Sequence, residues 1–286
     1  MSRIKVIIMD VDGTLYNSKK AVTEKTKAAL INAQNNGARL VLASGRPESG
    51  LYALGKELNM DQHHGLFVCY NGSKVIDCQT METLFNEPMS VEDGKAVLEH
   101  LKQFCVYPMI DKGSYMYVND VFADPIHYKG EPFNIIQYEA RNGHFLLCEK
   151  TDLAAFLDYE VNKILTAAEP SYLQENYKAM MEPFKDRLSC MFTADFYFEF
   201  TARGIDKARA LDAVLKPMGY EPEEMIGFGD GMNDISMIRY VGKGIAMGNG
   251  VQELKDAAEY ITATNDEDGI AEALYHYMPQ LKERQN

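Results

Sequence analysis

Two acids spaced two apart, Asp10 and Asp12, stand in Asp10-Val11-Asp12-Gly13-Thr14, directly after an apolar run. In extended backbone, residues two apart point the same way, so both carboxylates are expected to face one pocket, with Gly13 turning the chain away. Paired carboxylates suit a hard cation such as Mg²⁺, or a nucleophile with an acid/base beside it. The competing reading is a plain turn, where Asp and Gly are ordinary residues. Ser44-Gly45-Arg46-Pro47 brings a hydroxyl and free backbone N–H groups to a helix start. That makes either an anion site or simply a capped helix. Lys207 follows Asp206, the expected N-cap of another helix. A lysine there opposes the positive end of the helix dipole unless both face an anion such as phosphate; otherwise it is an exposed lysine screened by Asp206. Gly227-Phe-Gly229-Asp230-Gly231-Met-Asn233-Asp234 crowds acids and an amide into a glycine-rich turn. Asp230 is a candidate metal ligand and Asn233 a candidate for a phosphate oxygen, whereas Asn233 or Asp234 could instead cap the next helix. The glycines miss the G-x-G-x-x-G dinucleotide frame, because the third falls two residues after the second.

The elements that must position these clusters alternate. Strands are expected at 3–9, 39–43 and 65–70, with helices at 23–36 and 47–58 between them. Thr23 caps the first helix and Gly37 stops it; Pro47 suits the first turn of the second. Asn71-Gly72 between apolar runs signals a hairpin. From 85 to 195 the rhythm is irregular. A capping box at Ser90–Asp93 opens a helix to about 103, strand-like runs follow at 105–110, 114–118, 159–166 and 187–193, and a helix at 170–184. The alternation resumes with strands at 196–201, 223–229, 243–247 and 259–262 and helices at 206–216, 233–240, 251–258 and 268–278. The expected architecture is α/β, a Rossmann-like parallel-sheet core with helices on both faces, formed by residues 1–84 and 196–286, with an inserted mixed α+β domain at 85–195. All four clusters follow a strand and enter a helix, so all should open onto one edge of one sheet, where ligands of such folds bind. Four independent helix caps would have no reason to supply two acids, a hydroxyl, a lysine and further acids together.

Composition narrows the function classes. The chain has 286 residues, 46% hydrophobic and 25% charged, close to globular averages and enough for a large core without disulfide or metal staples. Disorder, collagen-like repeats and a disulfide miniprotein are excluded. A net charge of −13 argues against broad attraction to nucleic acid or an anionic membrane surface. Five scattered cysteines with no CxxC pair point to free thiols in a reducing compartment. The short apolar run near the start ends in an acid and is not a signal peptide, and no stretch reaches membrane-helix length. A cytoplasmic protein without an obligate protein partner is expected.

In their order, Asp10-x-Asp12-Gly13-Thr14, Ser44-Gly45-Arg46, Lys207 and Gly229-Asp230-Gly231-x-Asn233-Asp234 resemble the haloacid dehalogenase-like superfamily of phosphohydrolases, over essentially the whole chain. Asn71-Gly72, Ala246-Met247-Gly248-Asn249 and Asn265-Asp-Glu-Asp-Gly269 resemble its Cof-type subfamily, and the insert is similar to a type IIB cap. Ser44 stands where many relatives have Thr, and Ala208 where Gly usually follows the lysine. The resemblance implies a Mg²⁺-dependent phosphatase of small phosphate esters, sugar phosphates or similar, with a cap that sets specificity. It implies Asp10 as nucleophile and Asp12 as general acid and base. Mg²⁺ would be held by the Asp10 carboxylate, the main chain of Asp12 and Asp230. Ser44, the Gly45 N–H, Lys207 and Asn233 would hold phosphate oxygens, and Asp234 would orient Lys207 or a metal-bound water. A phosphomutase on the same chemistry would release little free phosphate. A non-catalytic phospholigand-binding module on this fold would not need a nucleophile beside an acid/base.

Overall fold

The computed structural model describes residues 4–282. In chain order the first segments are β1 (Val6–Met9), α1 (Glu24–Asn35), β2 (Arg39–Ala43), α2 (Tyr52–Glu57), β3 (Leu66–Cys69), β4 (Lys74–Asp77) and β5 (Thr83–Asn86). Then come α3 (Val91–Leu101), β6 (Tyr107–Lys112), β7 (Tyr115–Val118), β8 (Ile126–Tyr128), β9 (Glu131–Phe133), α4 (Ile135–Asn142), β10 (Leu146–Glu149), α5 (Leu153–Phe156), β11 (Ile164–Ala167), α6 (Pro170–Met181), β12 (Leu188–Ala194) and β13 (Tyr197–Ala202). The last segments are α7 (Lys207–Leu215), β14 (Met225–Gly229), α8 (Ile235–Tyr240), β15 (Lys243–Ala246), α9 (Gln252–Ala257), β16 (Tyr260–Ile261) and α10 (Gly269–Tyr277). Two compact units result: the described residues through Asn86 with those from Asp206 onward, and Glu87–Ile205.

The first unit is built on an eight-stranded sheet in the order β16-β15-β14-β1-β2-β3-β4-β5. From β16 to β3 every neighbouring pair is parallel, and β4 and β5 add an antiparallel tail through the hairpin that Asn71-Gly72 announces. All four residues of β1 are buried, as a strand covered on both faces requires. Ile7 and Met9 pack with Leu30 of α1, Leu54 of α2 and Leu274 of α10. Val6 and Ile8 pack with Leu211 of α7 and Met237 of α8. The strand's two-residue period thus sends alternate side chains into two separate cores. Chain connectivity reverses direction between β1 and its neighbours β14 and β2, so the end of β1 lies at the topological switch point. Pro47 leads into a turn at Glu48–Gly50 and only then α2, not the continuous helix expected at 47–58. Gly50 in that stretch lowers helix propensity.

The second unit holds a six-stranded sheet in the order β10-β7-β6-β11-β13-β12, with β8 and β9 as a separate hairpin. Helices α3 and α6 cover one face through Val97, Leu98 and Leu173, against Ile164, Phe198 and Phe200. Helix α4 covers the other, setting Ile135 and Ile136 against Met109, Leu165 and Tyr197. The strand expected at 196–201 forms, but not in the parallel sheet. As β13 it pairs antiparallel with β11 and β12. Its alternating inward residues, Phe198 and Phe200, are buried among α6 and Phe184. Elements α4, β8, β9 and β10 stand where no regular element was expected. Among the described residues, no helix is long and apolar enough to cross a membrane.

Because Ile8 of the central strand is fully buried against α7 and α8, Ile8→Ala is expected to cost about 2–5 kcal/mol. Denaturant unfolding followed by circular dichroism reads the shift in midpoint.

Candidate active site

The ends of β1, β2 and β14 and the start of α7 bring the sequence clusters to one edge of the parallel sheet; the strand expected to lead into Lys207 belongs to the other sheet. Asp10 is the first residue beyond β1, and its backbone N–H donates to Phe228 O on β14 at 3.0 Å. Ser44 follows β2, with its N–H on Val68 O of β3 at 2.9 Å. The loop after β14 carries Asp230, Asn233 and Asp234. Lys207 opens α7, whose N-cap Asp206 accepts from Arg209 N.

The residues meet through direct hydrogen bonds. Lys207 is fully buried, not the exposed lysine of the bland reading. Its Nζ donates to Asp10 Oδ1 at 2.7 Å and to Asp234 Oδ1 at 2.6 Å. The other oxygen of Asp234 accepts the backbone N–H groups of Asp230 and Gly231, at 3.0 and 2.9 Å. Asp234 thus braces its own turn and fixes the lysine, and its side chain does not cap α8. Thr14 Oγ1 donates to Asp230 Oδ1 at 2.6 Å, and Gly13, at φ +87°, passes so close that an added Cβ would sit 2.3 Å from Asp230 Oδ2.

Carboxylate oxygens of Asp10, Asp230 and Asp234 lie within 4.8 Å of one another. Three carboxylates against the single ammonium of Lys207 leave an excess of two negative charges. Burial, relieved in part by Lys207 and worsened by Asp234 and Asp230, pushes the Asp10 carboxyl well above its ordinary range. Burial and the Asp234 charge push Asp230 up to about 6, although Thr14 opposes this. Burial disfavours the charged form of Lys207, yet Asp10 and Asp234 raise its pKa overall. Crowded carboxylate oxygens with surplus negative charge fit a hard divalent cation.

The Asp12 side chain lies outside that carboxylate group. Arg46 grips it with two bonds, Nε to Oδ2 at 2.7 Å and Nη2 to Oδ1 at 2.8 Å. Lys20 Nζ adds a third at 2.6 Å. Burial pushes this carboxyl up, but Arg46 and Lys20 outweigh it and hold it below its ordinary value. The guanidinium lies 5.5 Å from the Tyr16 ring centroid.

Ser44 and Asn233 are linked through Asn71, a residue read from sequence as half of a hairpin turn and as part of the Cof-type resemblance. Asn71 is buried with φ +57°. Its N–H donates to Ser44 O at 2.9 Å, and its Oδ1 accepts from Asn233 Nδ2 at 2.9 Å. Gly72, at φ +109°, lets that turn lie on Asp206, where a Cβ would meet the carbonyl oxygen at 2.3 Å. The Asn-Gly pair was the available signal; that the turn lands on the start of α7 is a tertiary fact.

The lysine and acids gather at the switch point of an α/β sheet, where ligands of such folds bind. The family model for haloacid dehalogenase-like hydrolases matches residues 7–274, and the chain belongs to that family. A solved haloacid dehalogenase-like hydrolase from Bacteroides thetaiotaomicron is 32% identical, with TM-score 0.87 over 96% of this chain and 99% of that one. A Bacillus subtilis relative named 5-amino-6-(5-phospho-D-ribitylamino)uracil phosphatase is 29% identical over 278 residues, 96% of each chain. The structure of a subclass IIB sugar phosphatase, 24% identical, shares the fold with TM-score 0.77 over 96% of this chain and 98% of that one.

Asp234→Ala would strip a fully buried ammonium of one partner and leave two N–H groups without theirs. It is expected to lower stability by about 3–5 kcal/mol, read from thermal or denaturant unfolding.

Proposed function

We propose that this chain is a Mg²⁺-dependent phosphatase that hydrolyses small phosphorylated metabolites, sugar phosphates or similar, through an aspartyl-phosphate. The observation that carries the reading is the contact between buried Lys207 and Asp10, in the same group of carboxylates as Asp230. Phosphatase names among the relatives support the reaction class, and the named substrates of two of them support a phosphorylated sugar or sugar-like chain.

Asp10 attacks phosphorus in line. A carboxylate–phosphorus bond forms, the ester P–O bond breaks, and its electron pair leaves with the alkoxide. Asp12 gives that alkoxide a proton, then takes one from the water that hydrolyses the acyl phosphate and regenerates Asp10. Ser44, the Gly45 N–H, Lys207 and Asn233 hold the equatorial oxygens, where negative charge is spread in the transition state. Lys207 also fixes the Asp10 carboxylate through Oδ1, while Asp234 fixes Lys207. Asp10 and Asp230, with the main chain of Asp12, would hold Mg²⁺. The cation, when bound, supplies positive charge that keeps these carboxylates ionised and offsets the charge of the phosphoryl group. Thiols unpaired in disulfides support a reducing, cytoplasmic setting.

Phosphate release from a panel of sugar phosphates, flavin mononucleotide, nucleotides and pyridoxal phosphate tests this. Turnover is expected with Mg²⁺ and should vanish with chelator. Asp10→Asn should fall by about 10³-fold or more while its circular dichroism and melting stay near wild type. A folded Asp10→Asn protein with near-normal turnover would refute the assignment.

A further inference from the structure

The motifs around Asn249 and Asn265 have no part in the chemistry above, yet both reach the loop that carries Asp12. Asn249 Nδ2 donates to Gly13 O at 2.7 Å. The free lone pairs of the same amide, on Oδ1, accept the backbone N–H of Asn265 at 3.0 Å. Asn265 in turn donates from Nδ2 to Tyr16 O at 2.8 Å. Each side-chain amide therefore holds its own carbonyl of the segment after β1, and the Asn265 backbone N–H joins the two. Ser18 N–H on Asp266 Oδ1, at 2.9 Å, ties down the far end of that segment.

Within the segment, the chain doubles back on itself. Leu15 N–H reaches Asp10 O at 3.3 Å, Tyr16 N–H reaches Val11 O at 2.8 Å, and Asp12 pairs with Tyr16 as an isolated bridge. Tyr16 also carries the ring beneath Arg46, whose fork holds both oxygens of Asp12. The carbonyl that Asn265 holds and the ring that supports Arg46 thus belong to one residue. Asn249 is exposed and Asn265 half-buried, so their side chains do little for the hydrophobic core. Their donors go to the Asp12 loop.

We propose that Asn249 and Asn265 are positioning residues for Asp12: an amide relay pins the loop at Gly13 and Tyr16, and Tyr16 and Arg46 pass that placement to the Asp12 carboxylate. The inference rests on the reading of Asp12 as the general acid. Proton donation matters most when the leaving group is poor, so a misplaced acid shows in leaving-group dependence and not in overall activity alone. A merely structural role would lower all substrates together.

The experiment compares kcat/KM for p-nitrophenyl phosphate, a good leaving group, with phenyl phosphate, a poorer one, at saturating Mg²⁺. Asp12→Asn is expected to lose about 10²-fold more on the phenyl ester than on the nitrophenyl ester. Asn249→Ala and Asn265→Ala should each lose about fivefold to tenfold more on the phenyl ester, as a displaced catalytic group would. The double variant should lose more than either single one, because each amide holds its own carbonyl of the loop. Should an alanine variant fail to fold, Asn249→Ser and Asn265→Ser, too short to reach the carbonyls, give the same comparison. If Asp12→Asn discriminates between the esters and the asparagine variants lose equally on both, the relay is wrong and the general-acid reading stands. If Asp12→Asn itself does not discriminate, the general-acid reading falls and the relay falls with it.

Discussion

A buried ammonium fixed by two carboxylates governs this site. Lys207 has no exposure and would be costly to bury alone. Asp10 at the end of β1 and Asp234 after β14 make it tolerable, and each is held by bonds of its own. Asp234 accepts two backbone N–H groups, while Asp10 stays registered to β14 through its N–H on Phe228. The lysine therefore ties α7 to two adjacent strands of the sheet. The start of α7 cannot shift without leaving a charge unpaired. The same bonds explain why the hairpin turn at Asn71-Gly72 must carry glycine, since it lies on the residue that caps this helix.

Much of the parallel sheet was legible because its strands are buried on both faces and its helices carry explicit start signals. Thr23 and Asp206 cap α1 and α7 as their residue types suggest. What sequence left open was partnership. The strand expected at 196–201 forms as β13, but Phe198 and Phe200 look alike in either sheet, and only the packing against α6 decides which one they join. The β8–β9 hairpin and α4 escaped notice because each is short, and Pro132 and scattered polar residues blur any period across that stretch. The gathering of Asp10, Asp230 and Asp234 follows the strand-to-helix order, but Lys207 departs from it: the strand before it, β13, joins the other sheet, and the start of α7 carries the lysine to Asp10. Asn71 and Arg46 were visible as residues but not as contacts, because both act across large gaps in sequence.

Charge is also buried away from the sheet edge. In the second unit, Lys163 Nζ meets Glu199 Oε1 at 3.0 Å, both nearly inaccessible, and Thr193 Oγ1 donates to the same carboxylate oxygen at 3.1 Å. Burial disfavours the lysine's charge, but Glu199 keeps its pKa raised. Such a pair is weak evidence for net stability, since an apolar replacement of similar volume often serves as well. Its better-attested use is to fix register. Glu199 sits in β13 opposite Leu165 of β11 and Met191 of β12, so a slip by one residue would strand the charge among the phenylalanines on the opposite face.

Asp10 and Asp12 show how far environment separates two identical side chains two positions apart. Asp10 is enclosed, shares its surroundings with two other carboxylates, and has one cation; its charged form is disfavoured. Asp12 is partly open to water and meets a forked guanidinium and a second ammonium; its charged form is favoured. Extended geometry predicted that both would face one pocket, but the turn at Gly13 sets their partners apart, with Lys207 on one and Arg46 on the other. A shared proton between them is therefore not required for them to differ, unlike a dyad of touching carboxylates. Two identical carboxylates two positions apart thus differ in which holds its charge more readily because their neighbours differ, not their own chemistry. Apart from Lys20, the neighbours that set this difference lie far off in the chain, at positions 46, 207, 230 and 234, so the difference belongs to the fold and not to the Asp-x-Asp motif itself.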